Sequence, residues 1–344
     1  MVYCKCLKWY GDDFVLVLAK AMLAMMIGFI VAIICGVCLI PFLKKIKARQ
    51  SQNIFLNGQH KKKEGTPTMG GFIFIIPTII TVIILLLTNK LVWSNNLLII
   101  LFVFLSYGLI GFIDDYLIIK RRNNTGLTEF QKIFGQLFIA LVTFYLFMKS
   151  GHEPQLYVYS LGIKIHMAWF YGIFIMFILV ASSNAVNITD GLDGLAGGLS
   201  LIVFLALGLI TWNSTWVTGN EEIAIFCFIL VGSLLGFLFF NTHPARIFMG
   251  DVGSLSLGAT MAIISVLTNH EVTFIIMAGV FIIETLVCII QMASIFIRHK
   301  KVFLMTPLHH HFERLGWHER DIVKTFWVVG LLLAMAGIMF AVWL

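Results

Sequence analysis

About ten apolar runs, each long enough to cross the hydrocarbon of a bilayer as a helix, govern what this chain can fold into. They cover roughly residues 17–41, 70–88, 96–113, 133–149, 168–184, 196–212, 223–240, 252–268, 273–297 and 325–343. The runs show neither a helical nor a strand period, as a half-wet element of a soluble domain would. At ~20 residues per span they take up most of the chain, and the remaining loops are short. The expectation is therefore all-α: a polytopic membrane helical bundle of about ten transmembrane helices, forming a single domain over 1–344. Composition removes the soluble alternative. The chain is 60% hydrophobic and only 12% charged, about half the charged share of a soluble domain, so too little polar sequence is left to cover a large core.

The first run reads as a span and not as a signal peptide. It is too long, no small-residue cleavage site follows it, and Lys44, Lys45, Lys47 and Arg49 stop it. The six cysteines have no metal or disulfide spacing.

The 24 Lys and Arg residues outnumber the 17 Asp and Glu, a net charge of +7, which raises the question of nucleic acid. Their distribution answers it. Lys44 to Lys63, Lys120 to Lys132, Arg246, and Arg298 to Lys324 fall in alternate loops, with few basic residues in the loops between. That is the positive-inside pattern. It predicts both termini outside, five loops in the cytoplasm and no nucleic-acid partner. Asp114, Asp115, Asp190, Asp193 and Asp251 then all gather at the cytoplasmic boundary.

The loops on that face read KKKEGTPTMGG, FIDDYL, SSNAVNITDGLDGLAGG, FNTHPARIFMGDVGS and MTPLHHHFERLGWHE. Asn184, Asn187, Asp190 and Asp193 recur every three residues, which on a helix makes one polar face; a polar turn is the alternative. Gly191 and Gly194 let backbone approach a ligand. Asp251, between Gly250 and Gly253 and ahead of Ser254, is either a helix cap or a ligand for Mg²⁺, which prefers oxygen and shares it with phosphate. Asp114 and Asp115 either mark the end of a span or divide two tasks, because helix neighbours point ~100° apart. A carboxylate deep in hydrocarbon costs about 2.5–3.5 kcal/mol. Lys61 and Lys62 suit lipid headgroups, and Lys63 suits a phosphate. His309, His310 and His311 cannot all face one point, and no spaced partner suggests zinc. Together these groups suit a Mg²⁺-bound, phosphate-bearing substrate, since phosphoryl transfer needs positioning and charge neutralisation. No GxxxxGK[ST] or GxGxxG motif is present.

GTPTMGG, FIDDYL, NAVNITDGLDGLA, FMGDVGS and TPLHHHFE, in this order over nearly the whole chain, resemble the polyprenyl-phosphate N-acetylhexosamine-1-phosphate transferases. The triple histidine points to the branch that handles muramoyl donors. The resemblance implies an enzyme of the bacterial cytoplasmic (inner) membrane that works in peptidoglycan synthesis, with its active site on the cytoplasmic face. It would move a phospho-sugar from UDP-N-acetylmuramoyl-pentapeptide to undecaprenyl phosphate, giving lipid I and UMP, with Mg²⁺ as cofactor. It also implies a homodimer embedded in membrane lipid.

Carried over position by position, the resemblance makes Asp251 the metal ligand and Asp114 and Asp115 the essential pair. It makes Lys63, Thr68 and Lys132 substrate contacts. Asn187, Asp190, Gly191, Leu192 and Asp193 would receive the nucleoside with Asn241 and the stacking Phe248, Gly250 and Ser254 would flank the metal aspartate, and His309 and His310 would line the same groove. Many members have a lysine four residues after the first aspartate of the pair; here that position is Ile118, with Lys120 beyond it.

Two rivals come from other classes. A transporter puts its polar site near the midplane, and Glu284 is the one acid favouring that. A scaffold needs no register of amides and acids. Within the enzyme class, the alternative transfers N-acetylglucosamine-1-phosphate.

Overall fold

The computed structural model describes residues 2–46, 65–121, 125–158, 162–212 and 221–342. Lys61, Lys62 and Lys63 lie outside the described residues. The chain order is α1 (Val2–Lys45), α2 (Phe72–Leu87), α3 (Asn95–Arg121), α4 (Glu129–Lys149), β1 (Gln155–Val158), β2 (Ile163–His166), α5 (Phe170–Thr189), α6 (Leu195–Trp212), α7 (Glu221–Asn241), α8 (Gly250–Leu267), α9 (Glu271–Met277), α10 (Gly279–Arg298), α11 (Leu308–Arg314) and α12 (Glu319–Val342). Among the described residues, nine helices are long and apolar enough to cross a membrane, and α2 is a shorter apolar helix. The protein is a multi-pass helical membrane bundle.

Two boundaries differ from expectation. The third span does not stop before the aspartate pair. Helix α3 runs on to Arg121, because Asp114 and Asp115 find backbone donors in neighbouring segments instead of breaking the helix. The ninth span is divided at Ala278 into a seven-residue α9 and a twenty-residue α10. The tenfold helical pattern also has a small addition: β1 and β2 pair antiparallel, Gln155 opposite His166 and Val158 opposite Ile163.

Helix α8 is the axis of the bundle. Every residue from Val252 to Leu267 is buried, with α3, α5 and α6 packed on it. Its small residues permit close approach, as is usual where lipid supplies no hydrophobic drive between helices. At Gly111 of α3 a Cβ would stand 2.1 Å from the Asp251 backbone oxygen. That contact brings the aspartate pair of α3 beside the first turn of α8. A backbone pairing fixes the other side: Phe248 N–H donates to the Pro67 carbonyl at 2.9 Å, and Gly70 N–H returns to the Phe248 carbonyl at 2.8 Å.

Helix α10 has a polar face that its mean apolarity conceals. Ser294 donates to the Lys300 carbonyl at 2.9 Å, and Gln291 accepts from the Val302 and Phe303 N–H groups, each at 3.0 Å. Glu284 accepts from Leu308 N–H at 2.6 Å. The chain beyond α10 therefore folds back along the helix, carrying α11 to the same end of the bundle as the other motifs. Glu284 serves this return and offers no midplane transport site.

Candidate active site

At one end of the bundle, residues from α3, α4, α5 and α8 converge on one ammonium group. Lys132 lies in the first turn of α4, which Thr128 and Gln131 close with a reciprocal capping box. Its Nζ donates to Asp251 Oδ2 at 2.7 Å and stands 3.5 Å from Asp114 Oδ2. Asn187, in the last turn of α5, donates to the other Asp251 oxygen at 2.7 Å and reaches Ser254 Oγ at 2.9 Å. The Asp251 carboxylate therefore turns outward to partners on other helices. The N-cap of α8 is Met249, so the cap reading of Asp251 does not hold.

The adjacent aspartates diverge as helix geometry demands. Asp114 accepts Leu127 N–H at 2.7 Å, towards the α3–α4 link. Asp115 accepts Val252 N–H at 3.3 Å, towards the start of α8. Both are buried. Gly250 has φ of 74°, and a Cβ there would stand 2.4 Å from Asp115 Oδ2 and 2.8 Å from Thr68 Oγ1. Thr68 is buried, and its hydroxyl has no hydrogen-bond partner.

The expected three-residue register does not carry through NAVNITDGLDG, because α5 ends at Thr189. Asn184 donates to Gln136 Oε1 at 2.8 Å. Asp190 caps the end of α5 and is hydrogen-bonded by the Gly250 backbone. Its carboxyl is pushed up to about 7, first by burial and then by the charges of Asp251 and Asp193. Asp193 turns the other way: its Oδ2 accepts Ala245 N–H at 3.1 Å and lies 3.1 Å from His243 Nδ1. Asn241 holds the same turn, accepting Gly194 N–H at 3.1 Å and donating to the Ile247 carbonyl at 2.9 Å. Leu192 is buried beside it, while Gly191 is exposed and Phe248 half-buried.

Sequence reasoning missed His243 and Glu319. His243 Nδ1 lies 3.2 Å from Glu319 Oε2, and Glu319 Oε1 accepts Asp193 N–H at 2.8 Å. Among the described residues, Asp193, His243 and Glu319 are the group whose donor atoms lie close enough to share a metal ion. The imidazole already bridges both carboxylates, so the group serves as a tie between the α5–α6 turn and the start of α12. No motif marked it, since its members stand far apart in sequence.

The three histidines part company, as adjacent side chains must. His309 is fully buried, with Nδ1 3.1 Å from Glu284 Oε1. His310 Nδ1 lies 2.6 Å from Glu313 Oε2, and His311 Nδ1 accepts Leu304 N–H at 3.1 Å. Lys120 is exposed and sits over the Tyr116 ring at 6.0 Å. The cation at the aspartates is Lys132 instead.

The donor set around Lys132 is made of hard oxygens converging on a positive charge, which is the chemistry a magnesium ion requires. Such an arrangement can neutralise a phosphate-bearing ligand and fix its orientation.

Residues 97–269 match the model of the family described as "Glycosyl transferase family 4", a stretch holding every converging residue of α3, α4, α5 and α8. The chain is 45% identical over 322 residues to a phospho-N-acetylmuramoyl-pentapeptide-transferase of Geobacillus thermodenitrificans, covering 94% of this chain and 98% of that protein. It is 43% identical to proteins of the same name from Oceanobacillus iheyensis, over 93% and 98% of the two chains, and from Bacillus subtilis, over 93% and 97%.

Proposed function

The chain belongs to glycosyl transferase family 4, among the phospho-N-acetylmuramoyl-pentapeptide-transferases, and from that premise we propose how its residues carry out the reaction. The protein transfers phospho-N-acetylmuramoyl-pentapeptide from UDP-N-acetylmuramoyl-pentapeptide to undecaprenyl phosphate, releasing UMP and leaving lipid I in the membrane. One observation carries the assignment of the site: Lys132 is held between Asp114 and Asp251 while Asn187 fixes the other Asp251 oxygen. Three separate motifs and Lys132 thereby meet where a membrane-anchored acceptor can reach a water-soluble donor.

Asp251, with Asp114 beside it, would hold Mg²⁺, and the ion would supply neutralisation of the pyrophosphate charge. Lys132 adds a second fixed positive charge for the phosphoryl oxygens. Asn187 keeps Asp251 in place, and Asp115 ties the start of α8 to α3. The lipid phosphate attacks directly and UMP leaves. A phosphate monoester has a second pKa near ~6, so the acceptor is largely dianionic at neutral pH, and Asp114 serves charge placement more than proton removal. Asp190, Gly191, Leu192 and Asp193, with Asn241 and Phe248, form the nucleoside side of the site. Thr68, Gly250, Ser254, His309 and His310 line its walls, and Lys63 belongs to the same reading.

The motif-bearing end of the bundle faces the cytoplasm, in the bacterial inner membrane, because the basic loops lie at that end. The active form is a homodimer, a reading that rests on the resemblance. The deciding assay incubates purified protein and undecaprenyl phosphate with each UDP-sugar, with and without Mg²⁺, and follows UMP. UMP release from the muramoyl-pentapeptide donor alone, lost on chelation, is expected. Release from UDP-N-acetylglucosamine instead would overturn the choice of donor.

A further inference from the structure

Glu284 lies inside a membrane-spanning helix, and the chain return described above uses only its bond to Leu308 N–H. It is fully buried, and a carboxylate in that position needs a reason. Its two oxygens take three contacts from one short segment. Oε2 accepts Leu308 N–H at 2.6 Å, Oε1 accepts His309 N–H at 3.3 Å, and His309 Nδ1 lies 3.1 Å from Oε1. The opposite nitrogen of that ring, Nε2, is buried and has no hydrogen-bond partner among the described residues. It points at the α5–α6 turn: a Cβ added to Gly191 would stand 2.2 Å from it. Which nitrogen of a histidine carries the proton is set by the bond the other makes. A carboxylate that already accepts two backbone N–H groups offers Nδ1 an acceptor, so Nδ1 carries the proton. Nε2 is left as the atom facing the turn that bears Asp190 and Asp193.

We propose that Glu284 is a positioning residue for the transfer reaction, holding the proton of His309 on Nδ1 and its Nε2 towards the nucleotide side of the site. This rests on the function given above. Glu284 itself touches no substrate; it acts through the ring. The absence of a side chain at Gly191 belongs to the same device, since any Cβ would fill the space Nε2 faces.

The test is a double-mutant cycle with a spectroscopic control. Glu284→Gln preserves shape, but its amide N–H₂ must face one of the donors that the carboxylate accepted. It should lower kcat by about 10- to 100-fold, the usual loss when the partner that orients a functional histidine is removed, with KM for the UDP-sugar changing less. In a His309→Gln background the same change should do little more, because both substitutions break one unit. Equal losses in the two backgrounds would show that Glu284 does not act through His309, and so would a kcat within about twofold of the parent in the single variant. Nitrogen-15 spectra of the wild-type ring, assigned by their loss in His309→Gln, give a readout independent of turnover and of whether Glu284→Gln folds. A protonated Nδ1 with a bare Nε2 is expected, and the reverse tautomer overturns the proposal. Wild-type protein that releases no UMP would count against the function, whereas an additive cycle or the reverse tautomer in active protein counts against Glu284 alone.

Discussion

Two lysines close in sequence, Lys120 and Lys132, differ in what surrounds them. Lys120 lies over Tyr116 in the open, while Lys132 is caught between the buried Asp114 and the half-buried Asp251. Lys132→Met should therefore reduce kcat by about 10²–10³-fold, the scale seen when one preorganised charge-stabilising donor is lost. Lys120→Met should stay within about twofold. UMP release measures both. Asp114 separates two roles by pH. If it places charge, Asp114→Asn fails equally at about pH 7 and about pH 5.5, because the acceptor phosphate ionises near ~6 without its help. Near-normal turnover at the higher pH and failure only at the lower would instead make Asp114 a base.

Helices in this protein are held by what their sequences omit as much as by what they contain. Gly111 lets α3 rest against the first turn of α8. Gly111→Ala should destabilise by about 1–3 kcal/mol, as overpacking does in a filled interior, seen as a lower melting temperature in detergent together with lost turnover. Helix α9 is seated differently. Glu271 at its start is fully buried and takes the Tyr171 hydroxyl as donor. Glu271→Ala should strand that buried hydroxyl without its acceptor, costing about 1–3 kcal/mol, seen as a lower melting temperature in detergent.

For the whole molecule, orientation decides whether the chemistry is possible, because a soluble nucleotide and an anchored lipid phosphate meet only at one boundary. Arg246 is exposed in the α7–α8 link beside the Asp193 turn and reports which way that end faces. With the six native cysteines replaced by serine, an Arg246→Cys variant should react with an impermeant thiol reagent in inverted vesicles and stay unlabelled in right-side-out ones. Labelling from the outside would remove the function, whatever the motifs suggest.

Helical class, membrane residence and family were all readable in the linear chain. Long apolar runs admit only helices in a bilayer, where every backbone group must bond within its own segment, and the polar motifs stood out against them. The aspartate pair, Asp251 between its glycines and the histidines were visible because each is a local cluster of unusual residues. Other features were decided only by packing. The split ninth span, the polar face of α10 and the tie of His243 to Asp193 and Glu319 join residues far apart in the chain, and no local pattern marks them. The divergence of Asp190 from Asp193 depends on where α5 stops, which Gly191 permits and the neighbouring helices enforce. The resemblance already named Lys132, but only the tertiary structure shows what holds it there and leaves Lys120 in the open: an ammonium goes where carboxylates converge, and that place exists only once α3, α4 and α8 have met.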